Sequence, residues 1–163
     1  MELISEKEQN QRILKIAALD GSKTISKSPN IFSGRVALSV KNHGLVRSII
    51  TGSTILRAHA LPLEKSLSAG FIGIDAKKSL EKKWVTQNQI VEFFENLPSW
   101  ASGRDILLGF LCKRKETMFV DEKYPSANYF IIYIDPGSPG FPVYDCEFTS
   151  RVTWSKMLLI IPD

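Results

Sequence analysis

The hydrophobic pattern between Trp84 and Cys112 predicts a short helix followed by a strand. Thr86 and Gln89 have the spacing of a capping box, in which each side chain satisfies a backbone donor of the other residue. Apolar residues then recur at helical spacing, and Pro98 stops the helix because it has no N–H to donate. The apolar run 106–112 has the length of a strand. We therefore expect one main helix, at about 86–97, that packs through its phenylalanines on a sheet.

Alternating apolar and polar positions predict the strands of that sheet. Residues 36–40 alternate as a half-buried strand, and a turn at 42–44 would join it to a second strand at 45–51. The most strand-like segment is 129–134, which is apolar on both faces and is expected at the centre of the sheet. Proline and glycine make 135–142 a loop. Further extended segments are predicted at 54–61, 71–74, 118–120, 144–155 and 157–161.

The first 29 residues differ from the rest of the chain. Residues 1–20 have helical character with a polar middle, and 21–30 is a linker rich in serine and lysine. We expect an N-terminal tail and linker at 1–29 and a single β-rich domain at 30–163. The predicted fold is α+β and β-rich, an antiparallel sheet or sandwich with one main helix and a partly helical tail.

Composition places the chain among globular proteins. Its 163 residues suit one domain, and its hydrophobic fraction of 44% and charged fraction of 23% are ordinary. No apolar run reaches the roughly 20 residues that span a bilayer, and the N-terminus does not resemble a signal peptide. We expect an intracellular protein, cytoplasmic or peripheral to a membrane, with Cys112 and Cys146 as buried free thiols.

The net charge of +4 is unevenly distributed. Residues 21–83 carry eleven basic and three acidic side chains, whereas 116–163 carry three basic and seven acidic ones. Such asymmetry is informative about partners. It favours nucleic acid, an anionic membrane, or the acidic half of another copy of the chain.

Two groups of basic residues form the predicted binding surface. If 35–61 is a meander, four of them share one of its faces, and a run of lysines ends at a tryptophan. Lysines beside an aromatic ring suit a phosphate backbone with a stacked base, or a lipid headgroup with an interfacial ring. The alternative is that these are scattered solubilising charges. The predicted residues are Arg35, Lys41, Arg47, Arg57, Lys77, Lys78, Lys82, Lys83 and Trp84.

Motifs for catalysis or for metal binding do not occur. The two histidines, His43 and His59, lie without a recognisable nucleophile motif, and single cysteines and histidines do not have zinc-site spacing. Glu92 and Glu95 fall on the polar side of the predicted helix, as expected for a solvated face. We predict no catalytic residue, no metal and no cofactor.

These observations favour a non-enzymatic structural or interaction protein. Its basic N-terminal half would bind nucleic acid, such as RNA, or an anionic membrane surface, and the chain would self-associate into a homo-oligomer. This profile is matrix- or coat-like, as in a virion component, and no motif points to a particular family. A further protein partner also fits this profile. The alternative is a small hydrolase-like enzyme with a site near His59 and the 135–142 loop.

Overall fold

The main helix forms where the capping pattern predicts it. In the computed structural model it is α1, Gln87–Glu95, with Thr86 as its N-cap. The Thr86 hydroxyl accepts from the Gln89 N–H (3.2 Å), and the Gln89 side chain accepts from the Thr86 N–H (2.9 Å). At the other end, the Asn96 backbone and side chain donate to the Glu92 carbonyl (3.1 and 3.0 Å). The helix is confirmed, and it ends slightly short of the predicted boundary because Asn96 closes it.

The structure describes residues 12–38, 40, 49–60, 83–103, 106–113, 129–147 and 157–163. Within these ranges, the helix is accompanied by six strands. They form one mixed, mostly antiparallel sheet in the order β1-β2-β6-β3-β4-β5. This α+β, β-rich architecture agrees with the predicted fold class. The strands are β1 Ile13–Ile16, β2 Thr54–Ala60, β3 Leu107–Lys113, β4 Tyr129–Ile134, β5 Val143–Glu147 and β6 Met157–Pro162, and a short 3₁₀ helix covers Ser99–Ala101.

The parallel pair β3–β6 joins two antiparallel halves of the sheet. One half contains β1, β2 and β6, and the other contains β3, β4 and β5. Across the junction, Leu107 lies opposite Met157 and Phe110 opposite Ile160. The predicted central position of 129–134 is confirmed, because β4 is paired on both sides and nearly all of it is buried.

Helix α1 packs on one face of the sheet, the helix face, through aromatic rings. Phe93 lies edge-to-face with Phe110 of β3, with ring centroids 5.4 Å apart. Its neighbour Phe94 contacts Phe32 (5.4 Å) and Phe141 (5.0 Å). Pairs of this kind add about 0.5–1.5 kcal/mol beyond the burial of their area. The two phenylalanines therefore anchor the helix on the sheet, as their spacing predicts.

The opposite face of the sheet, the second face, has its own apolar cluster. Leu111, Ile131 and Leu159 are fully buried there. Gly109 lies between them, and a Cβ at this position would collide with the methyl group of Met157, which fills the space that the glycine leaves. Strands β3, β4 and β6 are therefore buried on both faces, which explains their nearly continuous apolar sequences.

The helical interpretation of the N-terminal region is wrong for residues 13–16. These residues form β1, in which Ile13 lies opposite Arg57 and Ile16 opposite Thr54. Leu19 then makes an isolated antiparallel bridge with Ile50. Isoleucine at both ends of β1 suits a strand, and pairing with β2 decides the conformation over a weak helical period.

The segment interpreted as a linker packs against α1. Ile25 is only 1% exposed and belongs to the core of the helix face, and its N–H donates to the Gln87 side chain (2.9 Å). Lys23 Nζ donates to Glu92 (2.6 Å) and Glu95 (3.0 Å). These hydrogen bonds raise the pKa of Lys23. The two glutamates expected on a solvated face thus hold this segment against the helix.

The strand predicted at 36–40 is also wrong. Val36 makes only an isolated parallel bridge with Val143, and the chain then turns so that the Val40 N–H donates to the Ala37 carbonyl (3.0 Å). Leu38 is 70% exposed while Val40 is 2% exposed. Leu38 and Val40 are helical, so Val36 contacts β5 and Val40 packs in the core without forming a strand.

Other predicted elements are confirmed or lie beyond the described residues. Strands β2, β3 and β6 match 54–61, 106–112 and 157–161, β5 matches the start of 144–155, and 135–142 is a loop. The turn at 42–44, the segment 45–48, the strands at 71–74 and 118–120, and the end of 144–155 lie outside the described residues.

The Thr86→Ala substitution should lower the free energy of unfolding by about 1 kcal/mol, because it removes the N-cap acceptor of a buried helix end. Urea unfolding followed by circular dichroism measures this change. Thr86→Ser keeps the hydroxyl and is the matched control, which should retain most of the stability. Equal losses in both variants would show that the methyl group, and not the cap, is responsible.

Candidate anion-binding site

Strand β2 presents Arg57 and His59 on the second face. Arg57 lies opposite Ile161 and His59 opposite Leu159, and both partners belong to the second-face cluster. Side chains of a strand alternate between faces, so Leu56 and Ala58 point instead into the core of the helix face. The sequence of β2 therefore directs its basic residues to one side of the sheet.

Arg57 forms a two-point ion pair with Asp163, which follows β6. Arg57 Nε donates to Asp163 Oδ1 (2.6 Å) and Nη2 donates to Oδ2 (2.8 Å). The Asp163 N–H donates to the Ile55 carbonyl (2.9 Å), which continues the β2–β6 ladder. The hydrogen bond from Arg57 lowers the pKa of Asp163, and the same bond raises the pKa of Arg57. The pair remains partly exposed to solvent, with 23% and 41% of the two side chains accessible.

The end of β6 determines where Lys83 and Trp84 lie. Pro162 has no N–H to give to β3, and the Leu111 carbonyl of β3 accepts instead from the Val85 N–H (2.8 Å). The chain entering α1 is thereby held beside the ends of β3 and β6. Lys83 Nζ lies 3.5 Å from the Pro162 carbonyl, to which it donates.

Trp84 packs against the second-face cluster, next to a lysine of β3. The Lys113 Nζ lies 5.8 Å from the centre of the indole ring, a cation–π contact. Lys113 is the last residue of β3 and Asp163 follows β6, so both lie at the end of the sheet where these two parallel strands finish. We use the name Arg57 cluster for the group at this end of the sheet: Arg57, His59, Lys83, Trp84, Lys113 and Asp163.

His59 is the half-buried member of the Arg57 cluster. Burial lowers its pKa, the positive charges of Lys83 and Arg57 lower it further, and Asp163 opposes them. The imidazole is therefore neutral near pH 7 and offers one nitrogen as donor and the other as acceptor. Among the described residues of the cluster, Arg57 and Lys83 act on the single carboxylate of Asp163, and Lys113 lies over the ring of Trp84. The cluster therefore carries more positive than negative charge and can bind an anion.

Three of the nine predicted binding residues lie in this cluster: Arg57, Lys83 and Trp84. Arg35 is exposed elsewhere, where its carbonyl accepts from the Val143 N–H of β5 (2.7 Å). The predicted meander face shared by Arg35 and Arg57 is wrong, because β2 pairs with β1 and β6. The remaining predicted residues, Lys41, Arg47, Lys77, Lys78 and Lys82, lie outside the described residues.

Sequence reasoning missed Lys113, Asp163 and the position of His59 in the cluster. Alternation along β3 could have placed Lys113 on the face of Leu111. Asp163 carries no local signal, because its partner Arg57 is 106 residues away in the sequence.

The structure does not bring His59 and the 135–142 loop together. His59, Leu159, Gly109 and Tyr133 lie in one row across β2, β6, β3 and β4, so the loop after β4 begins roughly 14 Å from His59 at about 4.8 Å per strand. The loop is closed internally by the Asp135 carboxylate, which accepts from the Gly137 N–H (3.0 Å) and the Ser138 hydroxyl (2.6 Å).

The two cysteines form no disulfide, and they lie on opposite faces of the sheet. Cys112 belongs to the core of the helix face, whereas Cys146 packs against the second-face cluster. Burial raises the pKa of the Cys112 thiol well above its usual range. A thiol held in this way is not an activated nucleophile at neutral pH.

Within the described ranges, no group of three or more His, Cys, Asp or Glu side chains could hold a metal ion. No helix in the described part of the chain is long and apolar enough to cross a membrane. No protein-family model, curated protein or solved structure matches this chain.

His59 should titrate below its ordinary pKa of 6.5. The unfolded chain then binds this proton more readily than the folded one, so the free energy of unfolding should fall as the pH drops through about 6.5 towards the folded pKa. Side-chain NMR gives the midpoint, and urea unfolding at about pH 7.5 and 5.5 gives the slope. His59→Gln should weaken this slope, because it removes the titrating group. A His59 midpoint above 6.5 would contradict the prediction.

Proposed function

We propose that this chain is a non-enzymatic structural or interaction protein that binds nucleic acid through the Arg57 cluster. The observation that carries the proposal is that Arg57, Lys83 and the Lys113–Trp84 cation–π pair lie at the same end of the sheet. Phosphate groups are bound by arginine and lysine, and bases stack on aromatic rings. The cluster offers both kinds of contact within one surface.

The placement of Trp84 favours nucleic acid over a membrane. Its ring packs against the second-face cluster and also lies beneath Lys113. An interfacial tryptophan must insert its ring among lipid headgroups, whereas a stacking platform works best when the protein holds the ring. A ring held by the sheet suits the second role, provided that the Lys113 ammonium moves from the ring to a phosphate when a base stacks.

The proposed mode of binding is electrostatic and independent of sequence. Lysine and arginine contacts to phosphate position the strand without reading its bases. Each neutralised phosphate releases counterions, so affinity should fall steeply as salt rises. The enzyme alternative stays a prediction, and the separation of His59 from the 135–142 loop gives it no support.

A labelled single-stranded oligonucleotide, titrated by fluorescence anisotropy at several salt concentrations, tests the proposal. The variants Lys83→Gln and Lys113→Gln should each weaken binding and reduce the slope of log K against log salt by about 0.7, the value for one phosphate contact on a single strand. Lys27→Gln removes the same charge from an exposed position elsewhere and is the matched control.

The outcomes separate the candidate partners. No binding at low salt would sink the nucleic-acid proposal. Binding to anionic vesicles without binding to the oligonucleotide would make a membrane the partner. Equal effects of Lys27→Gln and Lys113→Gln would show that net charge, and not this cluster, is what binds.

Self-association forms part of the same proposal, with a second copy of the chain as the partner. Strand β1 is at the edge of the described sheet, and Ile13 and the neighbouring Ile55 are 38% and 37% exposed on the second face. Exposed apolar residues beside a sheet edge favour pairing with another edge. A second copy fits because 116–163 carries the acidic excess that complements the basic excess of 21–83.

The molar mass should therefore rise with protein concentration in light scattering, and Ile13→Asp should reduce the rise by placing a charge beside the edge. Leu38→Asp changes an exposed residue outside β1 in the same way and is the control. A constant monomeric mass up to high concentration would contradict self-association. A rise unaffected by Ile13→Asp would place the contact elsewhere.

A further inference from the structure

The contact between Arg57 and Asp163 has the geometry with which arginine binds phosphate. Two nitrogens of the guanidinium fork donate to the two carboxylate oxygens, at 2.6 and 2.8 Å. The same parallel pair of charge-assisted hydrogen bonds is made to two oxygens of a phosphate group. The carboxylate thus occupies the donors that would otherwise be available to a phosphate.

A second cation of the cluster also acts on this carboxylate. After Arg57, the positive charge of Lys83 favours the ionised form of Asp163 and lowers its pKa. Lys83 is held nearby through the Pro162 carbonyl. The position of the Asp163 carboxylate is therefore the place in the cluster where a bound anion would receive the most positive charge.

Asp163 could leave this position without disturbing the sheet. Its backbone N–H donates to the Ile55 carbonyl, so the main chain is fixed by the ladder. Among the described residues, the hydrogen bonds that its carboxylate accepts come from Arg57. The side chain is partly exposed and can rotate towards solvent while β6 stays paired.

We propose that the Asp163 carboxylate occupies the phosphate position of the Arg57 cluster and competes with a phosphate group of nucleic acid for Arg57. This inference rests on the proposed function and adds an internal competitor to it. The Asp163 carboxylate weakens the binding of an isolated phosphate, which must displace it from Arg57 alone. A polyanion binds several cations of the cluster at once, and these contacts together displace the carboxylate. The cluster therefore selects chains of phosphates over single anions.

Removing the competitor should strengthen binding. In the anisotropy titration, Asp163→Asn should bind the oligonucleotide about tenfold more tightly than the wild type, because the phosphate no longer displaces a charged partner of Arg57. The salt slope should stay nearly unchanged, because Arg57 already contacts a phosphate in the wild-type complex once Asp163 is displaced. Asp163→Ala should give the same direction of change, and a thermal melt of each variant reports whether the sheet is intact.

Two further variants test whether a gain in affinity comes from loss of the Asp163 carboxylate or only from a change in net charge. Glu95→Gln makes the same change in net charge, and Glu95 also pairs with a lysine, but it lies on α1 on the other side of the sheet. It should change affinity by less than about twofold. Arg57→Lys keeps the charge and removes the fork, and in this background Asp163→Asn should lose most of its gain.

Each outcome decides between the possibilities. Tighter binding by Asp163→Asn and Asp163→Ala, together with an unchanged Glu95→Gln, supports the competitor. Equal gains in affinity for Asp163→Asn and Glu95→Gln would show that net charge causes the effect, and this result would overturn the proposed competition. If the wild type binds and the folded Asp163 variants bind equally well or more weakly, the proposed competition is overturned and the proposed function stands. Absence of binding by the wild type and all variants at low salt would overturn both.

Discussion

The parallel pairing of β3 with β6 is the contact on which the rest of the structure depends. It joins the two antiparallel halves of the described sheet, and it places the ends of β3 and β6 beside the start of β2. Parallel neighbours need a long connection, so this pair brings together residues far apart in sequence. Helix α1 then covers the junction, since Phe93 packs on Phe110, which lies opposite Ile160. The core and the Arg57 cluster are consequences of the same pairing.

Elements specified by their own residues could be predicted from the sequence. The capping box of Thr86 and Gln89 fixes where α1 begins, and the apolar sequences of β3, β4 and β6 identify them as buried strands. Elements specified by distant contacts could not. Residues 13–16 have a helical pattern when they are considered with the rest of 1–20, but four residues are too few to establish a period. Their pairing with β2 makes them a strand. The alternating valines at 36 and 40 likewise contact different neighbours and form no strand.

The candidate site was predictable in its residue types but not in its arrangement. Arg57 belonged to one predicted group and Lys83 with Trp84 to another, and nothing local indicates that they meet. They meet because Pro162 lacks an N–H and Val85 bonds to β3 in its place. Charge counted along the sequence is equally incomplete, since Lys23 pairs with Glu92 and Glu95 and Arg57 with Asp163 across long separations. Within the described residues, these pairs offset part of the positive charge that the sequence count assigns to 21–83.

The order of the strands also has a consequence for synthesis on the ribosome. Strands β3, β4 and β5 follow one another in sequence and are neighbours in the sheet, so they can pair as soon as they emerge. Strands β1 and β2 emerge earlier, yet they are connected to the rest of the sheet only by β6, the last of the described strands. Contacts of such long sequence separation form slowly, because the entropy of closing the chain is lost before they contribute. One edge of β2 therefore stays unpaired during synthesis until β6 emerges and pairs with it.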